Sequence, residues 1–353
     1  MQPFRQAPTP MHQFVTFFLD FYHLQPAGRA PCHTQTFAFS PLQKAKYRLA
    51  LPTHVPIMSS RPALVGILLV LASAILFATK SIFIKLAYQE SVDPITLLTL
   101  RLVFALPFFM AMGLLTSHQS NAPALHRRDW AVMFLLGFAG YYLSSLLDFM
   151  GLQYISAGLE RLVLFLYPTI TVLMTAFVLK RPVSRMTWLA IGVSYAGMAL
   201  VVWPDIHHGG EHLALGMMLV FGSALTYASY LVGSGEIIQR IGANRFTGIT
   251  LSISSLCCAV HFLLANPLSQ LMVSPRVLGL GIILAIVCTV MPATLLTNGI
   301  KRIGASKAAL IGAVGPVATL YLGYSVLGET MVTLQIAGTA LVLAGVLMVS
   351  LNK

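Results

Sequence analysis

Residues 155–168 read ISAGLERLVLFLYP. An acid and a base, Glu160 and Arg161, stand side by side where an apolar run begins, and Pro168 closes the stretch. The run continues to Leu179, long enough to cross a bilayer core, which takes about 20 helical residues. A charge at mid-bilayer costs about 2.5–3.5 kcal/mol on insertion scales, so ionisable groups in such a run face protein or water and are functional suspects by default. Taking this run as a membrane helix settles how its neighbours are read.

The composition agrees with that choice. Of 353 residues, 57% are hydrophobic and only 9% charged, and the mean hydropathy is +0.81. Soluble domains carry about 25% charged residues, so a soluble fold is excluded. A formal charge of +12 would suggest nucleic acid in a soluble protein. In a membrane protein the short cytoplasmic loops collect Lys and Arg, and no nucleic-acid partner is expected. Cys32, Cys257, Cys258 and Cys288 lack metal-ligand spacing, so neither disulfide, zinc nor cofactor is expected.

Residues 1–57 are rich in Pro, His and Gln, and their longest apolar patch, Phe14 to Tyr22, is interrupted by Asp20. It is too short to span a membrane and lacks the ordered regions of a secretory signal. The segment reads as a disordered tail or an upstream extension before a start at Met58. From there apolar runs recur, giving ten spans at 63–85, 94–116, 130–150, 159–179, 186–203, 213–235, 246–265, 277–297, 306–327 and 331–351. With the first span starting inside, inner segments from Lys44 onward hold fifteen Lys and Arg and outer segments two, Lys85 and Arg276. That bias places both termini in the cytoplasm of a multi-pass inner-membrane protein.

The two halves echo each other. A shift of 148 residues lays Gly151 on Gly299, Ile155 on Ile303, Pro168 on Pro316 and Gly197 on Gly345. A shift of 150 lays Gly66 on Gly216 and Val70 on Val220. This predicts an all-α polytopic fold of ten transmembrane helices in two five-helix repeats, 58–205 and 206–353. Five is odd, so the second repeat is inverted, the architecture of alternating-access carriers with substrate held near the midplane.

The paired repeat ends are ISAGLERLVLFLYPTITVLMTAFVLKRP at 155–182 and IGASKAALIGAVGPVATLYLGYSVLGETMVTLQIAGTALVLAGVLM at 303–348. The chain from Ala63 to Leu351 resembles the EamA-type permeases of the drug/metabolite transporter superfamily. The second copy, with its Leu327-Gly328-Glu329 ending, is the closer match, and Arg101 resembles the family's second-span arginine. The first copy departs, with Lys180-Arg181 where Gly-Glu is usual and Glu160-Arg161 where small or hydroxyl residues are common. The resemblance implies a ten-helix carrier of small metabolites with a central cavity between the repeats.

Lys80, Arg101, Asp148, Glu160 and Arg161 all fall in the outer half of the membrane, within roughly 11 Å of that face at 1.5 Å per residue. They are expected to line or gate an outward vestibule, with Arg161 or Arg101 meeting an anionic substrate group through its planar fork. Structural readings stand beside this. Arg101 and Asp148 could be an ion pair between spans two and three, and Lys80 could snorkel as Lys85 is expected to. Glu160 and Arg161 point about 100° apart, so one faces the cavity while the other pairs with Lys80 or Asp148. Tyr167, before Pro168, and Tyr227 and Tyr230 are further lining candidates, with packing as the alternative. Ala305, Ala309, Gly312, Pro316 and Thr319 form a small-residue stripe, read first as a packing face. His207, His208 and His212 read as a solvated loop rather than a metal site.

A secondary transporter of a small metabolite or amphipathic solute is the leading function. The alternative is a membrane enzyme or a receptor-like protein without transport. His261 is the only intramembrane histidine and has no Ser or Asp motif with it, so no enzyme activity is expected.

Overall fold

The structure is a computed structural model that describes residues 60–117, 123–178, 184–208, 212–303, 308, 311–312, 314–330 and 332–351. The sequence readings on 1–57, on Lys180 and Arg181, and on Ala305 and Ala309 lie outside the described residues.

Among the described residues the chain is helical, with turns between helices and no strand. The spans are α1 (Ser60–Tyr88), α2 (Pro94–Ser117), α3 (Arg127–Gly151), α5 (Arg185–His208), α6 (Leu213–Ile241) and α7 (Ala243–Ala265). The fourth is in two pieces, α4a (Ala157–Leu164) and α4b (Tyr167–Val178). α8 runs from Pro275–Ala285 through a π turn at Ile286–Val290 into Met291–Ile303, and α9 (Val314–Leu327) and α10 (Thr333–Leu351) complete the set. Eight of these are long and apolar enough to cross a membrane, and two shorter apolar helices follow, Val314–Leu327 and Thr333–Met348. Helix is forced here, because in lipid every backbone polar group must be satisfied within its own segment.

The helix starts follow local chemistry. The Asp93 carboxylate accepts the N–H groups of Ile95 and Thr96 ahead of Pro94. Ser156 caps α4a through the Leu159 N–H, and Ser274 caps α8 through that of Val277. α1, α6 and α8 run three to six residues past the ends expected from hydropathy. Polar ends such as Gln89 and Arg240 stop an apolar run without stopping a helix.

Packing shows the internal two-fold. α1 lies on α8 and α9 as α6 lies on α3 and α4, while α2 meets α7 and α5 meets α10. The exchange holds atom by atom at one crossing. A Cβ on Gly66 would stand 2.5 Å from Ile303 Cγ2, and one on Gly299 would stand 2.4 Å from Val70 Cγ2. In the other half Gly216 meets Ile155 Cγ2 at 2.7 Å and Gly151 meets Val220 Cγ2 at 2.5 Å. Small residues let membrane helices approach closely where no hydrophobic force drives them together. Leu97, Leu98, Phe149, Leu152 and Leu284 are buried together in one apolar cluster. Leu115, Met218, Leu264 and Tyr321 remain exposed toward the bilayer.

The helix ends divide into two faces. One carries 88–93, 149–157, 212, 276 and 327–329, tied by bonds such as Arg276 to Glu90 and Tyr88 to the Phe149 carbonyl. The opposite face carries Ser117, residues 123–126 and residues 240–245, where Arg245 bonds the Pro123 carbonyl and Ser117.

Candidate functional site

α4a brings its charges to the first face because Ser156 caps it there and Pro168 ends it. The proline has no N–H for the Leu164 carbonyl, the chain turns at Phe165 and Leu166, and α4b restarts at Tyr167. Glu160 and Arg161 therefore sit on a short helix of their own, on different sides of it.

Glu160 faces α1. Its Oε2 accepts the Ser81 hydroxyl at 2.5 Å, and its Oε1 lies 3.3 Å from Lys80 Nζ. The same ammonium donates to Asp148 Oδ2 of α3 at 2.6 Å. Glu160 is 0% exposed, Asp148 3% and Lys80 7%. Lys80 thus reaches two carboxylates inside the protein and does not snorkel. In this desolvated triad one cation offsets two anions, and Asp148 Oδ1 is buried without a hydrogen-bond partner.

Arg101 is placed differently from the ion pair considered above. Its Nε donates to Thr289 Oγ1 of α8 at 2.8 Å, and its guanidinium stands 5.5 Å from the Phe149 ring centroid. Asp148 bonds Lys80 instead. Thr289 is positioned by the π turn, since its hydroxyl bonds the Leu284 carbonyl five residues back. Its counterpart at the 148-residue shift is Tyr141, which lies in a second π turn, Gly137–Leu143 of α3. The same backbone device delivers a hydroxyl to Arg101 in one repeat and an aromatic ring to the core in the other.

Arg161 points the other way, toward α9. Its Nη2 lies 3.0 Å from where a Cβ on Gly315 would stand, so the guanidinium packs closely against that glycine. Its Nε is buried with no hydrogen-bond partner. Tyr167 and Tyr227 are near enough for its charge to act on both rings. These belong to a four-tyrosine cluster. Tyr227 meets Tyr167 at 5.1 Å and Tyr141 at 6.2 Å, and Tyr230 meets Tyr141 at 5.0 Å. Tyr230 also lies on Phe246 and fills the space over Gly140, where a Cβ would be 2.2 Å from its own.

The sequence-derived residues thus fall into three groups: Lys80, Asp148 and Glu160 joined as an ion triad; Arg101 held by α8; and Arg161 with Tyr167, Tyr227 and Tyr230. Ser81, Thr289 and Tyr141 were not anticipated, since nothing in the sequence pairs a hydroxyl of one apolar run with a charge on another. Glu329 was not anticipated as a contact either. Its carboxylate accepts the N–H groups of Ala157 and Gly158 at 2.7 and 3.3 Å, across the two repeats.

Two adjoining cavities of about 320 and 410 Å³ open beside this end of α4a and share Lys85 and Tyr88. Gln89, Leu327 and Glu329 complete one, and Ser91, Val92, Asp93 and Gln153 the other. Lys85 therefore lines a protein cavity rather than only reaching for headgroups. Elsewhere, His261 Nδ1 is 2.5 Å from the Tyr142 hydroxyl, and His212 meets Tyr154 edge-to-face. Among the described residues no group of three His, Cys, Asp or Glu could hold a metal ion.

The sequence profile of the EamA-like transporter family matches residues 64–203 and again 214–351. The chain belongs to that family. The EamA relatives include the uncharacterized transporter YcbK of Bacillus subtilis, 30% identical over 291 residues, covering 79% of this chain and 90% of the relative. The uncharacterized transporter sll1319 of Synechocystis is 27% identical, covering 82% of this chain and 94% of the relative. One solved crystal structure superimposes with a TM-score of 0.55 at 18% identity, over 81% of this chain and 98% of that one, which is a likeness of fold. With the family and the apolar helices together, the chain is a multi-pass membrane transporter.

Proposed function

We propose that this transporter is a secondary carrier that moves a small solute bearing an anionic group across the cytoplasmic membrane by alternating access. Residues 58–205 and 206–353 act as its two repeats, both termini are cytoplasmic, and the face carrying 88–93 and 327–329 is the outer one. The lipid bilayer and the solute are the partners this reading requires. One observation carries it: Arg161 keeps a buried Nε without a partner, beside a tyrosine wall and a helix break, while Lys80 and Arg101 are engaged. A guanidinium whose Nε is buried without a partner favours an anion, and its fork suits a carboxylate in two places. The tyrosines supply apolar faces and hydroxyls for the rest of the solute. Midplane sites at broken helices between inverted repeats are the arrangement that alternating access uses.

A thermal-shift screen of amino acids, nucleosides and organic anions tests this on purified protein. An anionic solute at 100 times its Kd stabilises the folded state by about 2.7 kcal/mol. Arg161→Ala, folded and inserted, is expected to lose that stabilisation and also counterflow of the labelled hit in proteoliposomes. Undiminished counterflow in Arg161→Ala removes the arginine from the mechanism. Absence of trans-stimulation in the wild type removes the carrier itself.

A further inference from the structure

Glu329 follows α9, in the second repeat, yet its carboxylate caps α4a, in the first. Oε1 accepts the Ala157 N–H at 2.7 Å and Oε2 the Gly158 N–H at 3.3 Å. These are orphan donors of a helix start, where a carboxylate is also favoured by the helix dipole. The surroundings admit the carboxylate closely. A Cβ on Gly323 would lie 2.6 Å from Oε2, and one on Gly158 would lie 2.6 Å from Leu320 Cδ2. Gly328, at φ +66°, makes the left-handed turn that leads the chain from α9 to Glu329. Lys85 lines the same cavity as Glu329, so a cation stands near the carboxylate at its rim.

The 148-residue shift pairs Glu329 with Arg181. A guanidinium accepts no hydrogen bond, so the first repeat cannot supply this contact in return.

We infer that Glu329 is a positioning residue for transport: it clasps the start of α4a, and with it Glu160 and Arg161, to the α9–α10 connection, and it releases when that face opens. The inference rests on the carrier reading. Opening the face means parting α4a from α9, and the two charge-assisted bonds are what span the gap at its rim. The clasp fixes the closed position of the Arg161 helix and sets the ease of opening at one face without touching the solute.

The test uses full-length protein in nanodiscs. Its first arm is amide hydrogen exchange at 157–164. Glu329→Ala is expected to speed exchange at Ala157 and Gly158 roughly five- to tenfold, while Glu329→Gln, which keeps an acceptor for Ala157, restores most of the protection. The second arm places spin labels at Gln153 and Val332, exposed on either side of the rim, with the four native cysteines changed to alanine. Two label distances are expected, with Glu329→Ala raising the longer population about fivefold. Gly323→Ala leaves the acid in place but drives it off α4a, and is expected to act like Glu329→Ala should the latter fold poorly. Unchanged exchange in both variants overturns the clasp. Faster exchange with an unchanged two-distance distribution also overturns it, by reducing Glu329 to a static cap. A single distance in the wild type under every condition indicts the carrier reading instead.

Discussion

Lys80 holds two buried carboxylates at once, with its Nζ 2.6 Å from Asp148 and 3.3 Å from Glu160. Removing the ammonium leaves both acids desolvated and facing one another. Breaking a buried pair this way costs about 3–5 kcal/mol. Lys80→Ala is therefore expected to lower unfolding stability by that order in detergent, and Lys80→Ala with Asp148→Asn and Glu160→Gln to recover most of it. A triple variant no more stable than the single would show that the lysine acts through packing rather than charge. Arg161 belongs to the same short helix but to a different problem. Its neighbours are a glycine backbone and tyrosine rings, so its truncation is expected to leave stability nearly intact and to remove solute binding. The same kind of residue at nearly the same depth thus has different work depending on what faces it.

α4 is divided because Pro168 withholds a donor, and that division lets an eight-residue piece carry charges which a continuous apolar span would bury at a loss. α3 and α8 carry π turns at matching places, Gly137–Leu143 and Ile286–Val290, and each re-aims one side chain, Tyr141 or Thr289. α5 and α10 pack closely through paired glycines at their crossing. A Cβ on Gly197 would stand 2.6 Å from the Gly338 carbonyl, and one on Gly345 would stand 2.6 Å from that of Ala190. The shift of 148 residues carries one contact into the other. Gly197→Ala and Gly345→Ala are therefore expected to cost similar amounts, about 1–3 kcal/mol each, read by thermal unfolding. A large loss in one and none in the other would mean the two crossings are not equivalent.

Across the whole protein, charge sets orientation and apolar surface sets depth. Arg127, Arg128, Arg240, Arg245 and Arg302 gather toward the face opposite the cavities, and the positive-inside rule makes that the expected cytoplasmic side. Trp130 and Trp203, about half exposed, sit near opposite ends of their spans, where indoles settle at the interface. A fluorescent reporter fused after Lys353 is expected to mature in the cytoplasm, and a phosphatase fused there to stay inactive. An active phosphatase would invert the assignment of faces and with it the outer position of Glu329.

The hydropathy of the runs, the alternation of basic loops and the paired glycines fixed the membrane class and the repeat from sequence, because lipid leaves a chain little choice but helix and each span carries its own signal. The residues that bear charge were visible for the same reason, since any ionisable group in a greasy run stands out. Their partners were not. Whether Lys80 meets lipid or two acids, whether Arg101 turns to Asp148 or to Thr289, and that Glu329 reaches α4a across 171 residues of chain depend on which helix faces are brought together. Such contacts are long-range, leave no periodic trace, and are decided only when the ten helices pack.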